Sequence, residues 1–194
     1  AGSGPDGKSE GDPTTAASNW YCGKSWAWMQ DTPFRKFKHF NHEGGIATPL
    51  IVHWPQGISA RGEWRRQPGH VIDIMATLAD VTGADYPTEK NGVLILPPEG
   101  RSLLPAFEDK PIQRDMLFWE HEGNAAVRRG DWKLVRQGGK GPWELYDLKS
   151  DRTEQHDLAA EKPELAAELK EAWLVWAQRA HVSPEGRPTK KGRE

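Results

Sequence analysis

The chain has 194 residues, near the upper edge of one domain on the usual scale of ~100–200 residues, with 26 Lys+Arg against 28 Asp+Glu and a mean hydropathy of -0.78. Near-balanced charge at a pI of about 6.4 disfavours a broad polyelectrolyte-binding surface, so nucleic acid is not an expected partner. No run approaches the ~18 apolar residues of a spanning helix, no membrane partner is expected, the first eighteen residues lack the apolar core of a signal peptide, and the lone Cys22 excludes an internal disulfide or a multi-cysteine zinc site.

In chain order, residues 1–18 are rich in Gly, Ser, Thr and Pro without periodicity and read as a loop or disordered lead-in. Order is expected from Asn19-Trp20-Tyr21 and Trp26-Ala27-Trp28, followed by a turn at Asp31-Thr32-Pro33 and a stretch, Phe34 to Phe40, that alternates aromatic with basic residues. Leu50-Ile51-Val52-His53-Trp54, closed by Pro55 and preceded by the Gly44-Gly45 turn, has the composition of a strand buried on both faces. Val71, Ile74, Met75, Leu78 and Val81 recur at helical spacing, which predicts a helix over 70–82 with Gly83 as its stop. Residues 85–100 read as loop, and Ser102 to Phe107 as one short helical turn.

After Pro111 the texture changes to short strands: Met116 to Glu120, Ala125 to Arg128, Trp132 to Gln137 and Trp143 to Tyr146. Gly130-Asp131 and the glycines of 138–141 separate the later ones at hairpin distances, so an antiparallel meander is expected. Pro163 suits the first position of a helix, and Leu165, Leu169, Trp173, Trp176 and Ala180 form a stripe that should pack on the meander. The residues beyond Ser183 are basic and expected to fray. Ten Trp against five Phe and three Tyr are an excess of amphipathic rings, suited to a core or a binding wall.

The segment with the most chemistry is Phe34-Arg35-Lys36-Phe37-Lys38-His39-Phe40-Asn41-His42-Glu43-Gly44-Gly45. It gathers basic and imidazole side chains and ends in a glycine turn. Lys offers a compact charge with three donors and Arg a planar fork, both matched to phosphate or sulfate oxygens, while two glycines allow close backbone approach. A merely solvated basic loop is the plain alternative.

This segment resembles the arylsulfatase family of the alkaline phosphatase superfamily, in which an Arg-x-x-Lys stretch precedes a Glu-Gly-Gly turn and an apolar strand ending in Trp-Pro. The matching positions are Arg35, Lys38, Glu43-Gly44-Gly45 and Leu50 to Pro55. Further similar pieces follow in order: Asp73 to Ala79, Gly100-Arg101-Ser102-Leu103-Leu104-Pro105, Trp132-Lys133-Leu134-Val135, and Leu145-Tyr146-Asp147-Leu148 leading to His156-Asp157-Leu158-Ala159. The likeness runs over roughly residues 19–181.

The resemblance implies an α/β sulfatase (alkaline-phosphatase-like) fold. It divides the chain into a lead-in at 1–18, a C-terminal portion of the large catalytic domain at 19–110, a small antiparallel-sheet subdomain with a terminal helix at 111–182, and a tail at 183–194. It also implies hydrolysis of sulfate esters by a formylglycine made from a Cys-x-Pro/Ala-x-Arg motif, with calcium held by Asp and Asn side chains. Cys22-Gly23-Lys24-Ser25-Trp26 is not that motif, so Cys22 is expected to stay an unmodified thiol, and the calcium ligands are expected upstream of residue 1. The chain then reads as the C-terminal part of a sulfatase, inactive by itself, whose partners are a sulfate ester and the N-terminal catalytic part of the same protein. A periplasmic or secreted location follows from the family alone.

Lys38, five positions before Glu43, is the lysine carried over as catalytic: a fixed ammonium beside the sulfate stabilises charge that grows as the S–O bond breaks. His42 and His121 are candidates to contact substrate. Arg35, Glu43, Gly44 and Gly45 are expected to support the loop, Glu43 by accepting backbone hydrogen bonds across the turn. Trp20, Trp26 and Trp28 are candidates for an aromatic wall. No metal site is expected within the chain, because His121 with Glu120 and Glu122 is too local a group. Two rivals stand beside this assignment: phosphate or phosphonate ester hydrolysis on the same scaffold, and a non-catalytic anion- or glycan-binding module. If the sulfatase assignment holds, the isolated chain should aggregate or bind a hydrophobic dye, with 116–180 better protected than 19–82.

Overall fold

A computed structural model describes residues 23–183, so the expectations for the 1–18 lead-in, for Asn19 to Tyr21, for Cys22 and for the tail beyond Ser183 lie outside the described residues. The chain forms two compact units, one built from the stretches ending at Pro49 and starting at Met116, the other from Leu50–Asp115. The division differs from the expected boundary near 110, because the residues before Pro49 join the sheet unit. No helix among the described residues is long and apolar enough to cross a membrane.

The sheet unit opens with two helices, α1 (Gly23–Gln30) and the one-turn α2 (Glu43–Ile46), and its centre is the expected meander. In the second unit come α3 (Asp73–Thr82), β1 (Glu89–Lys90), β2 (Val93–Leu94) and α4 (Leu104–Phe107); β3 (Leu117–His121), β4 (Asn124–Arg129), β5 (Trp132–Arg136), β6 (Trp143–Asp147) and α5 (Pro163–Arg179) complete the first. Strands β3 to β6 pair antiparallel in sequence order, with Val127 opposite Phe118 and Leu134, and Leu134 opposite Leu145.

Because side chains alternate across a strand, this register sorts the sheet into two different faces. Ala125, Val127, Leu134 and Leu145 face α5 and meet Leu169, Trp173 and Ala177, all fully buried. Phe118 stacks on Trp176 at 5.3 Å, and the Trp173 indole donates to the Trp119 carbonyl at 3.0 Å, so the buried ring keeps its polar edge satisfied. Helix α5 begins at Pro163 and carries Arg179 in its last turn, where a cation complements the helix dipole. The opposite face carries Ala126, Arg128, Lys133, Val135, Glu144 and Tyr146, and the segment 34–46 lies on it through the contacts described below.

One expectation, the buried strand, is corrected in the second unit. Leu50 to Trp54 is an extended segment without strand pairing, and Ile51 is 91% exposed. Its apolar composition asks for cover that no residue of this unit supplies. Helix α3 forms where its periodicity predicts and ends at Gly83 in a left-handed conformation, φ 65°. The side it buries is polar, however. The Asp73 carboxylate accepts from the backbone N–H of His70 and Arg101 and pairs with Arg114, and the Thr77 hydroxyl accepts from the Leu103 N–H. Val71, Ile74, Met75 and Leu78 stay exposed. The 85–100 loop holds a small hairpin, β1 with β2, turned by Asn91-Gly92 with both residues at positive φ.

Candidate active-site loop

The segment from Phe34 to Ile46 owes its shape to short-range sterics and long-range ion pairs. Phe37 is buried and meets Phe40 edge to face at 5.2 Å, which folds the segment back on itself. Lys36 and His39 stand at positive φ, 66° and 87°, conformations that cost a non-glycine residue about 1–3 kcal/mol and persist only where the surroundings enforce them. Gly44 and Gly45 are required by close approach. A Cβ on Gly44 would lie 2.4 Å from the carbonyl oxygens of Arg35 and Lys36, and one on Gly45 would lie 1.9 Å from that of Phe40. The glycines thus let the loop pack on its own backbone, rather than opening it toward an anion.

Glu43 and Arg35 brace the loop, though not as expected. The Glu43 carboxylate reaches across to the sheet: Lys133 Nζ, fully buried, stands 2.9 Å from Glu43 and 2.9 Å from Glu154, and Arg152 is 3.4 Å from Glu43. The backbone N–H of Glu43 donates to Glu154 Oε2 at 2.8 Å. Burial pushes the Glu43 carboxyl up, but the charge and hydrogen bond of Lys133, with help from Arg128 and Arg152, more than reverse this and hold it below the ordinary value. Arg35 donates to the Tyr146 hydroxyl at 2.6 Å and to the Glu154 carbonyl at 2.8 Å, and pairs with Glu144 at 3.4 Å.

His42 lies inside this brace, 1% exposed, with Nε2 3.1 Å from Glu144 Oε2. It has no solvent-facing surface from which to meet a substrate, and its place beside Glu144 makes it a strut of the loop. The hydrogen bond from His42, joined by that from the Tyr146 hydroxyl, holds the Glu144 carboxyl down to about 2 despite partial burial. Burial and the adjacent Glu144 carboxylate push the Tyr146 hydroxyl well above its usual range, so it remains a neutral donor.

The two lysines separate cleanly. The Lys36 ammonium sits over the rings of Trp28 at 5.6 Å and Phe40 at 5.3 Å, a cation–π placement that commits its charge. Lys38 is exposed and has no ion-pair partner among the described residues. His121, at the end of β3, contacts His39: His121 Nε2 is 3.2 Å from His39 Nδ1, which is itself 2.9 Å from Glu122 Oε2. The structure therefore gathers His39, His121 and Glu122 into one cluster, leaves Lys38, the neighbour of His39 in the chain, exposed, and takes His42 into the brace. Trp26 and Trp28 are exposed, and Trp20 lies outside the described residues.

Sequence comparison now identifies the scaffold. A family model described as N-sulphoglucosamine sulphohydrolase, C-terminal, matches residues 34–177, which includes the loop, the second unit, the meander and most of α5. The chain belongs to this sulfatase family. It is 35% identical over 167 residues to an uncharacterized sulfatase of Schizosaccharomyces pombe, covering 81% of this chain and 29% of that protein. A sulfatase of Formosa agariphila is 29% identical over 169 residues, covering 75% of this chain and 30% of its own length. Among solved structures, that of Ps i-CgsB superimposes with a TM-score of 0.61 at 25% identity over 81% of this chain and 34% of that one. A structure from work on glycosaminoglycan metabolism in Bacteroides thetaiotaomicron superimposes with a TM-score of 0.62 at 23% identity, over 75% of this chain and 32% of that one, and shows a common fold.

These matches establish the C-terminal part of the α/β sulfatase fold. They include steryl-sulfatase of Homo sapiens, 36% identical over 92 residues covering 47% of this chain and 15% of that protein, and single out no arylsulfatase specificity. The chain spans about three-tenths of the length of the two longer-matching sulfatases. A calcium ion, expected in this family, would need a cage of oxygen donors. The one cluster of three metal-ligating side chains among the described residues, His39, His121 and Glu122, offers two imidazole nitrogens and does not fit it.

Proposed function

We propose that this chain is the C-terminal portion of a sulfuric ester hydrolase and that Lys38 holds the substrate sulfate in its transition state. The observation that carries the assignment is the pairing of the family match with an exposed, uncommitted lysine on a loop fixed at both ends. Arg35 and Glu43 anchor that loop to the sheet, Gly44 and Gly45 let it close on itself, and Lys36 is engaged with aromatic rings. Such rigidity is what a charge needs to stabilise a transition state more than a ground state, because no reorganisation is then required as the S–O bond lengthens. We read His121, at the hairpin end and 3.2 Å from His39, as a further contact for the substrate.

The nucleophile and the calcium site belong, in this reading, to the part of the protein that carries a Cys-x-Pro/Ala-x-Arg motif, and the present chain alone is inactive. That same part covers Leu50 to Trp54 and the apolar side of α3, both exposed here. The isolated chain should therefore bind a hydrophobic dye through residues 50–82, while amides of β4 and β5 exchange slowly. The family context supports a periplasmic or secreted location.

The decisive test is kinetic. In the full-length protein Lys38→Ala should lower kcat/KM for a sulfate monoester by ~10²–10³-fold, the scale for removing one transition-state charge stabiliser, and Lys36→Ala should do far less. Equal losses at the two positions would place the sulfate-binding lysine wrongly. Faster turnover of phosphate or phosphonate monoesters than of sulfates would transfer the chemistry to another branch of the superfamily.

A further inference from the structure

The geometry points to a transition-metal site of the zinc class at His39, His121 and Glu122, clamping the lysine-bearing loop to the β3–β4 hairpin turn. The inference stands on this cluster and not on the sulfatase assignment. The local sequence shows only His121 with neighbouring glutamates. The fold adds His39 from 82 residues away.

Three donor atoms converge there, all within 4.8 Å of one another. His39 Nδ1 lies 2.9 Å from Glu122 Oε2 and 3.2 Å from His121 Nε2. A zinc ion bound at ~2.0–2.2 Å to such donors sets neighbouring ligand atoms ~3.3–3.5 Å apart in a tetrahedron. The two spacings from His39 reach that with outward shifts of a few tenths of an ångström, and the exposed Glu122 side chain can swing to set its distance from His121. Hydrogen bonding accounts for the cluster less well. One ring nitrogen carries at most one proton. If His39 Nδ1–H donates to Glu122, the same proton can reach His121 only as a split bond. If Nδ1 instead accepts from His121, its lone pair faces a carboxylate. A cation satisfies all three lone pairs together.

The site is also built from behind. The Asn124 side-chain amide, 7% exposed, donates to the carbonyl of His39 at 2.8 Å and to that of His121 at 2.9 Å, and its oxygen accepts from the Gly138 N–H at 3.0 Å. One buried side chain thereby fixes the backbones of both imidazole residues. It also helps hold His39 at φ 87°, a strained conformation that turns the ring toward the hairpin. Glu122 is at φ 52° in the two-residue turn with Gly123, so the third ligand is set by the hairpin itself. The exposure of His39 and Glu122, 37% and 65% for their side chains, leaves room for a water or an anionic group as the remaining ligand.

The test uses the full-length protein with Cys22→Ser to remove the thiol, titrated with zinc chloride. Metal content after dialysis and long-range proton–nitrogen spectra of the imidazoles are read together. The expected result is one zinc per chain and metal-induced shifts at Nδ1 of His39 and Nε2 of His121. His39→Asn, which keeps a residue tolerant of the left-handed conformation, and His121→Ala should each weaken zinc binding at least ~10-fold. No retained zinc overturns the proposal. So does zinc whose shifts fall on other histidines, or whose affinity is unchanged in both variants.

Discussion

Replacing Lys133 by Met should unfold the brace that positions the 34–46 loop. The ammonium is fully buried 2.9 Å from each of two buried carboxylates, Glu43 and Glu154. At an effective dielectric of ~20, each contact is worth ~5–6 kcal/mol of Coulomb attraction. Desolvation of the three charges offsets much of that, and the measured cost of breaking a buried pair is ~3–5 kcal/mol. The upper end applies here, since Met strands two carboxylates and Arg152, with a half-exposed side chain, neutralises one of them at 3.4 Å. About 4 kcal/mol is a large part of the ~5–15 kcal/mol that holds a typical domain. With a urea slope of about 2 kcal/mol/M, it would move the unfolding midpoint by roughly 2 M. The assay is urea unfolding followed by tryptophan fluorescence, with amide exchange in β4 and β5 reporting the sheet unit. The triple variant Lys133→Met, Glu43→Gln, Glu154→Gln should regain most of the loss, because no unpaired charge remains. Acid provides the sign check. Folded Glu43 lies below its ordinary value of 4.5, so its stabilisation is present above that pH and is lost as the pH falls through the folded value. In Lys133→Met the Glu43 carboxylate loses the charge that holds it low, so the gap between variant and parent should narrow as the pH falls toward and then below 4.5. A loss under ~1 kcal/mol, or a triple variant no better than the single one, would refute the reasoning.

Glu144, held down to about 2 from 4.5, should stabilise the fold above pH 4.5 and lose that contribution as the pH falls toward 2. A carboxyl titration midpoint near 4 in nuclear magnetic resonance spectra, or an unchanged acid-unfolding profile in Glu144→Gln, would show that the His42 and Tyr146 bonds are absent in solution. Gly45→Ala should cost about 1–3 kcal/mol through overpacking, because its Cβ meets the Phe40 carbonyl at 1.9 Å, while Gly69→Ala, whose nearest contact is 3.6 Å away, should cost much less by thermal unfolding. Trp173→Ala should remove ~3–5 kcal/mol by emptying the largest buried site between α5 and the sheet; full protection of β4 amides in that variant would mean that α5 is not what closes the core.

What the sequence made legible follows from how far each signal reaches along the chain. The meander and α5 were readable because short runs set apart by Gly130-Asp131 and the glycines of 138–141, and the stripe from Leu165 to Trp176, are local patterns that packing then obeyed. The Asn91-Gly92 hairpin carried a recognisable turn dipeptide, and the prolines around it hid it. Leu50 to Trp54 was misread because apolar composition states a need for cover without saying which part of a protein provides it. Lys133 was a visible oddity, a lysine amid Trp132, Leu134 and Val135, yet only the fold reveals that its partner is Glu43, 90 residues earlier. His42 resembled a site residue by proximity to the turn, and its burial depends on Glu144, 102 residues away.

The brace between Glu43 and Lys133 also governs how this domain can be exchanged between proteins. Its two halves lie on opposite sides of the 50–115 unit, so a chimera joined anywhere inside that unit would inherit the acid from one parent and the base from the other. Such a hybrid keeps its loop in place only if both parents hold matching charges at both positions. Loop and sheet are thus a single unit of inheritance despite their separation along the chain.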